Sequence, residues 1–181
     1  MMDRRSLLVL GAKAAAGIIA AQAAPALAAG RVEKGNRNLA FYHTHTRECL
    51  DITYVRNGLY DPKALRQINR YLRDFRTSEV HPIDPEIFDI LWQIQQEIGC
   101  RSTYEIVSAY RSPQSNQELR EKSGGVAKRS LHMSGQAIDI RLTGKNTRMV
   151  RDCAIALEAG GVGYYASSDF VHIDTGKFRI W

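Results

Sequence analysis

A chain of 181 residues that is 44% hydrophobic and 24% charged has the composition of a globular protein, and its length suits one domain with a sizeable core better than two. Its formal net charge of +6 is modest, and neither an arginine-rich arm nor an array of base-stacking aromatic residues accompanies it, which argues against nucleic-acid binding. A mild basic surplus suits an anionic polymer as a partner, although it is equally typical of a solvated surface.

Residues 1–28 have the features of an export signal rather than of a folded domain. Twin arginines at positions 4 and 5 precede an apolar run that is rich in alanine and glycine, and an A-x-A cleavage signal ends at Ala28. This pattern predicts a twin-arginine signal peptide that is cleaved near Ala28, with residues 29–181 as the mature domain. We therefore expect the twin-arginine export machinery as a partner and the periplasm as the destination.

An uncleaved membrane anchor is the alternative interpretation of the same segment. A spanning helix needs about 20 strongly apolar residues. Because Lys13, Gln22 and Pro25 interrupt the run, we expect cleavage and no transmembrane span in the mature protein.

The first half of the mature chain reads as a hairpin followed by two helices. Residues 39–46 and 49–56 are β-rich runs separated by a short polar turn. Asp61 and Asp84 each precede a proline and an apolar pattern of helical spacing, so each is predicted to cap a helix. Gly99 is predicted to end the second helix. Both helices are interpreted as core scaffold.

The second half of the chain mixes strands and helices. Its predicted elements are a strand at 104–110, a helix from Ser112 to about Glu121, a strand at 136–142, a helix at 146–159, a glycine turn at 160–163 and a last strand at 170–175. Helices come early and strands cluster late, which favours a single α+β domain with an antiparallel sheet and flanking helices.

The most informative motif is S-x-H-x-x-G-x-A-x-D over residues 130–139, which contains His132 and Asp139. A second histidine, His172, lies about 30 residues later in the run Phe-Val-His-Ile-Asp. Two histidines and one carboxylate form a ligand set for a catalytic zinc, which takes three protein ligands and leaves a fourth position open for water. The pattern therefore indicates hydrolysis rather than a structural zinc site.

Side chains alternate between the two faces of a strand, and this alternation predicts which side chains lie together. Asp139 points away from Ile138 and Ile140, and His172 points away from Val171 and Ile173. If the two strands pair, Asp139 and His172 lie on one face, and the preceding loop brings His132 to them. Taken alone, His132 is more typical of a surface or capping residue and His172 of a satisfied core histidine, so the joint pattern carries the prediction.

The chain resembles the M15 group of zinc peptidases, the D-alanyl-D-alanine carboxypeptidase-like enzymes related to the hedgehog zinc fold. The likeness extends over most of the mature chain and is closest to the twin-arginine-exported murein endopeptidase branch. It is carried by residues 108–112, 125–128, 130–139, 160–165 and 170–176 and by Trp181. The resemblance implies a zinc ion held by His132, Asp139 and His172, and peptidoglycan stem-peptide crosslinks as substrate, with those between two diaminopimelate residues as one candidate.

The resemblance also implies catalytic residues. Related peptidases often place an acidic residue three positions before the last zinc histidine, which here is Asp169, and many have a histidine where this chain has Phe170. Asp174 is the alternative candidate for the general base, and it could instead orient His172. Arg111 is expected to grip a substrate carboxylate or a developing oxyanion, with a salt bridge to a neighbouring acid as the alternative.

The implied function is therefore that of a periplasmic zinc endopeptidase acting on peptidoglycan, and the protein is expected to be a monomer. Two alternatives stay open. One is a D,D- or L,D-carboxypeptidase acting on stem peptides, and the other is a non-catalytic zinc-containing domain that binds the cell wall. A complete ligand triad and two candidate bases argue against the second.

His43 and His45 form an H-x-H pair on one face of the first strand. A second metal pair is one interpretation, and solvent-facing polar positions are the favoured one.

Overall fold

The computed structural model describes residues 35–181, so the predicted signal peptide and its cleavage site lie outside the described residues. The chain order is β1 (Arg37–His43), β2 (Cys49–Arg56), β3 (Leu59–Tyr60), α1 (Pro62–Tyr71), α2 (Pro85–Ile98), β4 (Tyr104–Ser108), α3 (Pro113–Lys122), a 3-10 helix (Leu131–Ser134), β5 (Ala137–Leu142), α4 (Thr147–Leu157), β6 (Gly161–Tyr165), a 3-10 turn (Ala166–Ser168), β7 (Phe170–Asp174) and β8 (Arg179–Ile180).

The strands form one eight-stranded sheet in the order β3-β2-β1-β4-β5-β7-β6-β8. The α+β, single-domain prediction is confirmed, but the prediction of an antiparallel sheet is only partly right. β1 runs parallel to β4, and β6 runs parallel to β8. Strands β2 and β3 and helices α1 and α2 lie between β1 and β4 in the chain, and this long crossover brings β4 back beside β1 in the same direction.

The predicted helix starts are observed with their caps. Asp61 accepts hydrogen bonds from the amides of Lys63 and Ala64, and Asp84 accepts one from the amide of Glu86. Gly99 ends α2 in the left-handed conformation, with φ of 67°. These caps satisfy backbone donors and acceptors that the ends of a helix leave free.

The hydrophobic core lies between one face of the sheet and the helices α1, α2 and α4, which contact strands β1, β2, β5, β6 and β7. Ile138, Ile140, Val171 and Ile173 are buried in that core. Because side chains alternate along a strand, the residues between them project from the other face of the sheet. Within residues 35–181, no helix is both long and apolar enough to cross a lipid bilayer.

Three short strands differ from the prediction. Residues 161–165, expected to form a glycine turn and its exit, are strand β6, paired along its full length with β7. The edge strands β3 and β8 have two residues each, too few for a periodic pattern to reveal them.

Candidate metal centre

His132, Asp139 and His172 meet on the face of the sheet opposite the core. β5 and β7 pair antiparallel with Asp139 directly opposite His172. His132 comes from the 3-10 helix that precedes β5. His172 Nδ1 lies 2.8 Å from Asp139 Oδ1, and His132 Nε2 lies 3.2 Å from His172 Nδ1 and 3.3 Å from Asp139 Oδ1. The convergence expected from strand period two is therefore observed.

The spacing of these three atoms suits a small cation. Zinc binds histidine nitrogen and carboxylate oxygen at about 2.0–2.1 Å in a tetrahedron, whose edges are then about 3.3 Å. The three side chains are buried, and theirs is the one cluster of three or more His, Cys, Asp or Glu side chains within residues 35–181 that has metal-binding spacing.

Each histidine is held by a hydrogen bond on its other ring nitrogen. His132 Nδ1 lies 2.7 Å from the carbonyl oxygen of Ala109, which only accepts, so Nδ1 carries the proton. His172 Nε2 lies 3.0 Å from Asp174 Oδ2, which fixes the proton on Nε2 in the neutral ring. Both rings then present an unprotonated nitrogen toward Asp139, as metal ligation requires.

Asp174 is fully buried, and both of its oxygens are engaged. Besides His172, it accepts hydrogen bonds from the amides of Gly161 and Gly176, at 3.2 and 2.9 Å, and a two-pronged contact from Arg179 at 3.0 and 2.7 Å. Burial alone would raise the pKa of Asp174, but the bonds from His172 and Arg179 outweigh it and hold the pKa below its usual value. Of the two roles expected for Asp174, these contacts fit the orientation of His172.

Asp139 is also held as an anion. Burial raises its pKa, but the two histidines more than offset that effect and lower the pKa well below its ordinary value. Arg111 contributes a further contact, because its Nη2 donates to Asp139 Oδ2 at 2.6 Å. The guanidinium thereby occupies the second carboxylate oxygen, while the first faces the two histidines.

Arg111 is both ion-paired and at the site. Its Nε donates to Ser108 Oγ at 2.9 Å, and its Nη2 lies 3.1 Å from His132 Nε2. It also lines the cavity above the cluster. Arg111 therefore forms the salt bridge that was the alternative interpretation, with Asp139 as its partner. It also lies at the cavity, where a cation that binds substrate was expected.

Asp169 has a different environment. It follows the 3-10 turn with φ of 51°, and its Oδ1 accepts a hydrogen bond from Thr147 Oγ1 at 2.7 Å. Its Oδ2 lies 3.8 Å from Arg141 Nε, and Arg141 also donates to its backbone carbonyl. Asp169 is not among the residues that line the cavity, although its neighbours Ser168 and Phe170 are.

A cavity of about 560 Å³ opens above the cluster. One part of its wall is aromatic: Phe170 stacks on Tyr165 with ring centroids 4.5 Å apart, and Trp181 donates from its indole to the Tyr165 hydroxyl at 3.0 Å. The Trp181 ring centroid lies 5.2 Å from that of His172. The glycine-rich segment 123–131 supplies another part of the wall.

Arg129 and Arg179 are cavity residues that the sequence reasoning did not assign. Arg179 contacts Asp174 through β8, a strand that the sequence does not predict, so no signal pointed to it. Arg129 directly precedes the Ser130 that opens the metal motif, and this adjacency was the available signal.

His43 and His45 do not form a metal pair. His43 is buried, which contradicts the favoured interpretation that it faces solvent. Its Nδ1 accepts hydrogen bonds from the amides of His45 and Thr46 at 3.3 and 3.4 Å. His45 is exposed and stacks on Phe75 with ring centroids 4.1 Å apart. The two rings therefore serve a tight turn and its packing.

Two histidines and a carboxylate at the floor of an open cavity, each oriented by a further hydrogen bond, form a side-chain set that suits metal-assisted hydrolysis. Residues 31–181 match the family described as Peptidoglycan L,D-endopeptidase MepK. The chain belongs to this family of M15 peptidases, which confirms the resemblance drawn from its motifs, and it is therefore a peptidase.

Named relatives agree with this assignment. Peptidoglycan L,D-endopeptidase MepK from Escherichia coli strain K12 is 39% identical over 180 residues, which are 99% of this chain and 97% of that protein. The probable peptidoglycan L,D-endopeptidase MepK of Haemophilus influenzae is 39% identical over 146 residues, or 80% of this chain and 78% of that protein. No solved structure gives a significant match to the chain.

Proposed function

We propose that this protein is a periplasmic peptidoglycan endopeptidase that hydrolyses amide crosslinks between stem peptides, with zinc held by His132, Asp139 and His172. The observation that carries the proposal is the buried His-Asp-His cluster at the floor of an open cavity, in a chain of this family. The relatives named as L,D-endopeptidases support an amide between an L and a D centre as the target, such as one that joins two diaminopimelate residues.

Zinc, when bound here, supplies an activated water and a Lewis acid for the scissile carbonyl. The reaction adds the hydroxyl of water to the carbonyl carbon, breaks the carbon–nitrogen bond and delivers a proton to the leaving amine. His132, Asp139 and His172 would hold the ion, and Asp174 positions His172. The hydrogen bonds to Ala109 and Asp174 set both rings beforehand, so the ligands need little rearrangement.

Arg111 is proposed to stabilise the negative charge that develops on the carbonyl oxygen. Its guanidinium lies at the cluster and also lines the cavity, and its contacts with Asp139 and Ser108 hold it in place. A preorganised cation at the point where charge develops is worth several kcal/mol in a site shielded from water. Arg111→Lys keeps the charge but loses the planar fork, and we expect slower turnover with metal still bound.

Asp169 is proposed as the proton-transfer group in preference to Asp174. The exposed carboxylate of Asp169 has one hydrogen bond from Thr147, whereas Asp174 is sealed from solvent with both oxygens engaged. Asp169 lies between two residues that line the cavity. To act as a base, its carboxylate must leave the Thr147 hydroxyl and turn toward the substrate.

Export by the twin-arginine pathway, with removal of residues 1–28, completes the proposal. The family match over residues 31–181 supports a mature domain that begins near Ala29. Because the twin-arginine pathway carries folded proteins, the metal centre would form before the protein reaches the periplasm.

The proposal is tested by digesting purified sacculi and isolated crosslinked dimers, followed by chromatography and mass spectrometry of the muropeptides. We expect conversion of dimers to monomers, abolished by a chelator, restored by zinc, and lost in His132→Ala. Removal of one terminal residue from a stem peptide would instead indicate a carboxypeptidase. Binding without products, by protein shown to contain one metal ion, would indicate a cell-wall-binding domain.

A further inference from the structure

Three arginines line the cavity, and two of them have partners. Arg111 is paired with Asp139 at 2.6 Å, and Arg179 is paired with Asp174 at 2.7 Å. Arg129 forms no ion pair and no side-chain hydrogen bond with any residue of 35–181, and it is exposed. Of these three cations, Arg129 is the one with its hydrogen-bonding capacity still free within the described part of the chain.

The cavity wall supplies no free carboxylate side chain to pair with Arg129 in the described chain. Among the cavity-lining residues of the described chain, Asp139 has the one carboxylate side chain, and Arg111 and the two histidines already surround it. Lys128, the neighbour of Arg129, lines a separate depression that also contains Glu121. The positive charge of Arg129 is thus available to a ligand in the cavity, while that of Lys128 is not.

Arg129 is also fixed in relation to the candidate metal centre. It directly precedes Ser130, whose hydroxyl accepts a hydrogen bond from the His132 amide at 3.4 Å and caps the 3-10 helix. On its other side, Asn116 Nδ2 donates to the carbonyl of Ala127 at 3.2 Å and ties the segment to α3. These anchors keep the Arg129 backbone close to the candidate metal centre.

The proposed substrate presents a matching anion. When an L,D amide joins two diaminopimelate residues, the D-configured carbon that supplies the nitrogen also carries a free carboxylate. That carboxylate is two bonds from the scissile nitrogen, so it enters the cavity with the bond to be cut. A guanidinium fork binds a planar carboxylate through two parallel hydrogen bonds, which a lysine does not reproduce.

We infer that Arg129 binds the free carboxylate of the D-configured residue on the leaving side of the crosslink, and that it thereby selects substrates with that group unmodified. This inference rests on the proposed function and adds a specificity-determining residue to it. Arg129 acts in binding, and bond cleavage itself stays with the residues at the metal centre.

The test compares two crosslinked dimers that are identical except at this carboxylate, which is free in one and converted to a carboxamide in the other. Both are offered to zinc-loaded wild type, Arg129→Gln, Arg129→Lys and the matched control Lys128→Gln. For Arg129→Gln we expect kcat/KM to fall about tenfold on the free acid, mainly through KM, and to change less than twofold on the amide. Arg129→Lys should fall between wild type and Arg129→Gln, and Lys128→Gln should match wild type on both dimers.

An Arg129→Gln variant that loses equally on both dimers, or on neither, overturns the inference. The affinity for each dimer is also measured by calorimetry, with a chelator present to prevent cleavage. Wild type is expected to bind the free acid about tenfold more tightly than the amide, and Arg129→Gln is expected to bind the two alike. If wild type cleaves neither dimer, the proposed function fails, and the calorimetric comparison still decides whether Arg129 recognises the carboxylate.

Discussion

At the scale of single residues, the candidate metal centre depends on side chains that do not ligate the ion. His172 is fixed by Asp174, which in turn is held by Arg179 and two glycine amides. This chain of contacts keeps one nitrogen of His172 protonated and the other directed at Asp139. The position of a ligand nitrogen is therefore set by residues up to two contacts away.

Asp174→Asn is expected to lower zinc affinity by about 10- to 100-fold, because the amide is a weaker acceptor for the His172 N–H and no longer neutralises Arg179. The dissociation constant is measured by competition with a chromophoric chelator. Asp152→Asn removes a carboxylate from the exposed surface of α4 and should leave the affinity unchanged. An Asp174→Asn protein with wild-type zinc affinity would show that the orienting contact has no such role.

Asp169→Asn is expected to reduce kcat by about 100-fold or more with zinc still bound, because proton transfer by a positioned side chain contributes on that order. Glu105→Gln is the matched control, since Glu105 is the other carboxylate 3.8 Å from Arg141. Full turnover in zinc-loaded Asp169→Asn would rule out Asp169 as the base.

Thr147→Val provides an independent test of the role of Asp169. Valine keeps the shape of threonine but removes the hydroxyl that donates to Asp169 at 2.7 Å. If the carboxylate must leave this hydroxyl to act, steady-state kcat should be equal to or above that of wild type. A kcat that falls with that of Asp169→Asn would instead mean that the Thr147 contact holds Asp169 in its working position.

The convergence of His132, Asp139 and His172 was predictable from sequence, whereas the surrounding contacts were not. Asp139 and His172 lie on strands whose alternating pattern fixes the face of each side chain, so their convergence needs only that the strands pair. Arg179 reaches Asp174 from a two-residue strand, and Asp169, itself in the left-handed conformation, turns toward Thr147. Neither depends on a periodic pattern, so both appear only when the chain is folded.

At the scale of elements, the 3-10 helix that carries His132 packs tightly against the segment before α2. Gly135 has φ of +68°, and a Cβ atom there would lie 2.1 Å from the carbonyl oxygen of Pro82. The carbonyl of Gly135 also accepts a hydrogen bond from the Asp84 amide at 2.9 Å. No side chain fits at this position unless one backbone segment moves.

Gly135→Ala is therefore expected to destabilise the fold by about 3 kcal/mol, from left-handed strain and backbone overlap together, and to weaken zinc binding by displacing His132. Gly144→Ala is a close control, since Gly144 has φ of +72° but nothing within 4 Å of its added Cβ. It should lose only about 1 kcal/mol, the strain contribution alone. Urea unfolding measures both, and equal losses would contradict the proposed overlap.

Strand β6 shows why a glycine-rich pattern was interpreted wrongly. Its glycines suggest a turn, yet a Cβ at Gly161 would lie 2.5 Å from the Asp174 carboxylate, and one at Gly163 would lie 2.6 Å from the Trp181 indole. Glycine within a strand often marks a close approach of this kind. The partners are distant in sequence, so only the fold reveals that these glycines make room rather than turn the chain.

At the scale of the whole molecule, His43 links stability to pH. Burial lowers its pKa to about 4, and the charges of His45 and Arg73 add to this effect, while Glu48 opposes it. The folded protein keeps His43 neutral, whereas the unfolded chain takes up a proton below about pH 6.5. The contribution of His43 to the free energy of unfolding is thus fully present above pH 6.5 and is lost as the pH falls toward 4.

When the pH falls from 7 to 4.5, we expect the free energy of unfolding of His43→Asn to decrease by about 2 kcal/mol less than that of wild type. Asparagine can still accept hydrogen bonds from the amides of the following turn, but it does not titrate. Free energies of unfolding are compared at pH 7 and pH 4.5 in the presence of a chelator, so that the metal ligands contribute equally to both proteins. The same loss on acidification in the variant and in wild type would contradict the prediction.

The pairing of Asp139 with His172 across β5 and β7 has a consequence for how long the protein survives. An ion held there, and by His132 before β5, would fasten three separate stretches of chain and stabilise the folded state by about 4 kcal/mol at 1,000 times its dissociation constant. Transient opening of these strands would then be rarer in metal-loaded molecules, and proteases would degrade metal-poor molecules first. The supply of that metal would in this way set the amount of the enzyme as well as its activity.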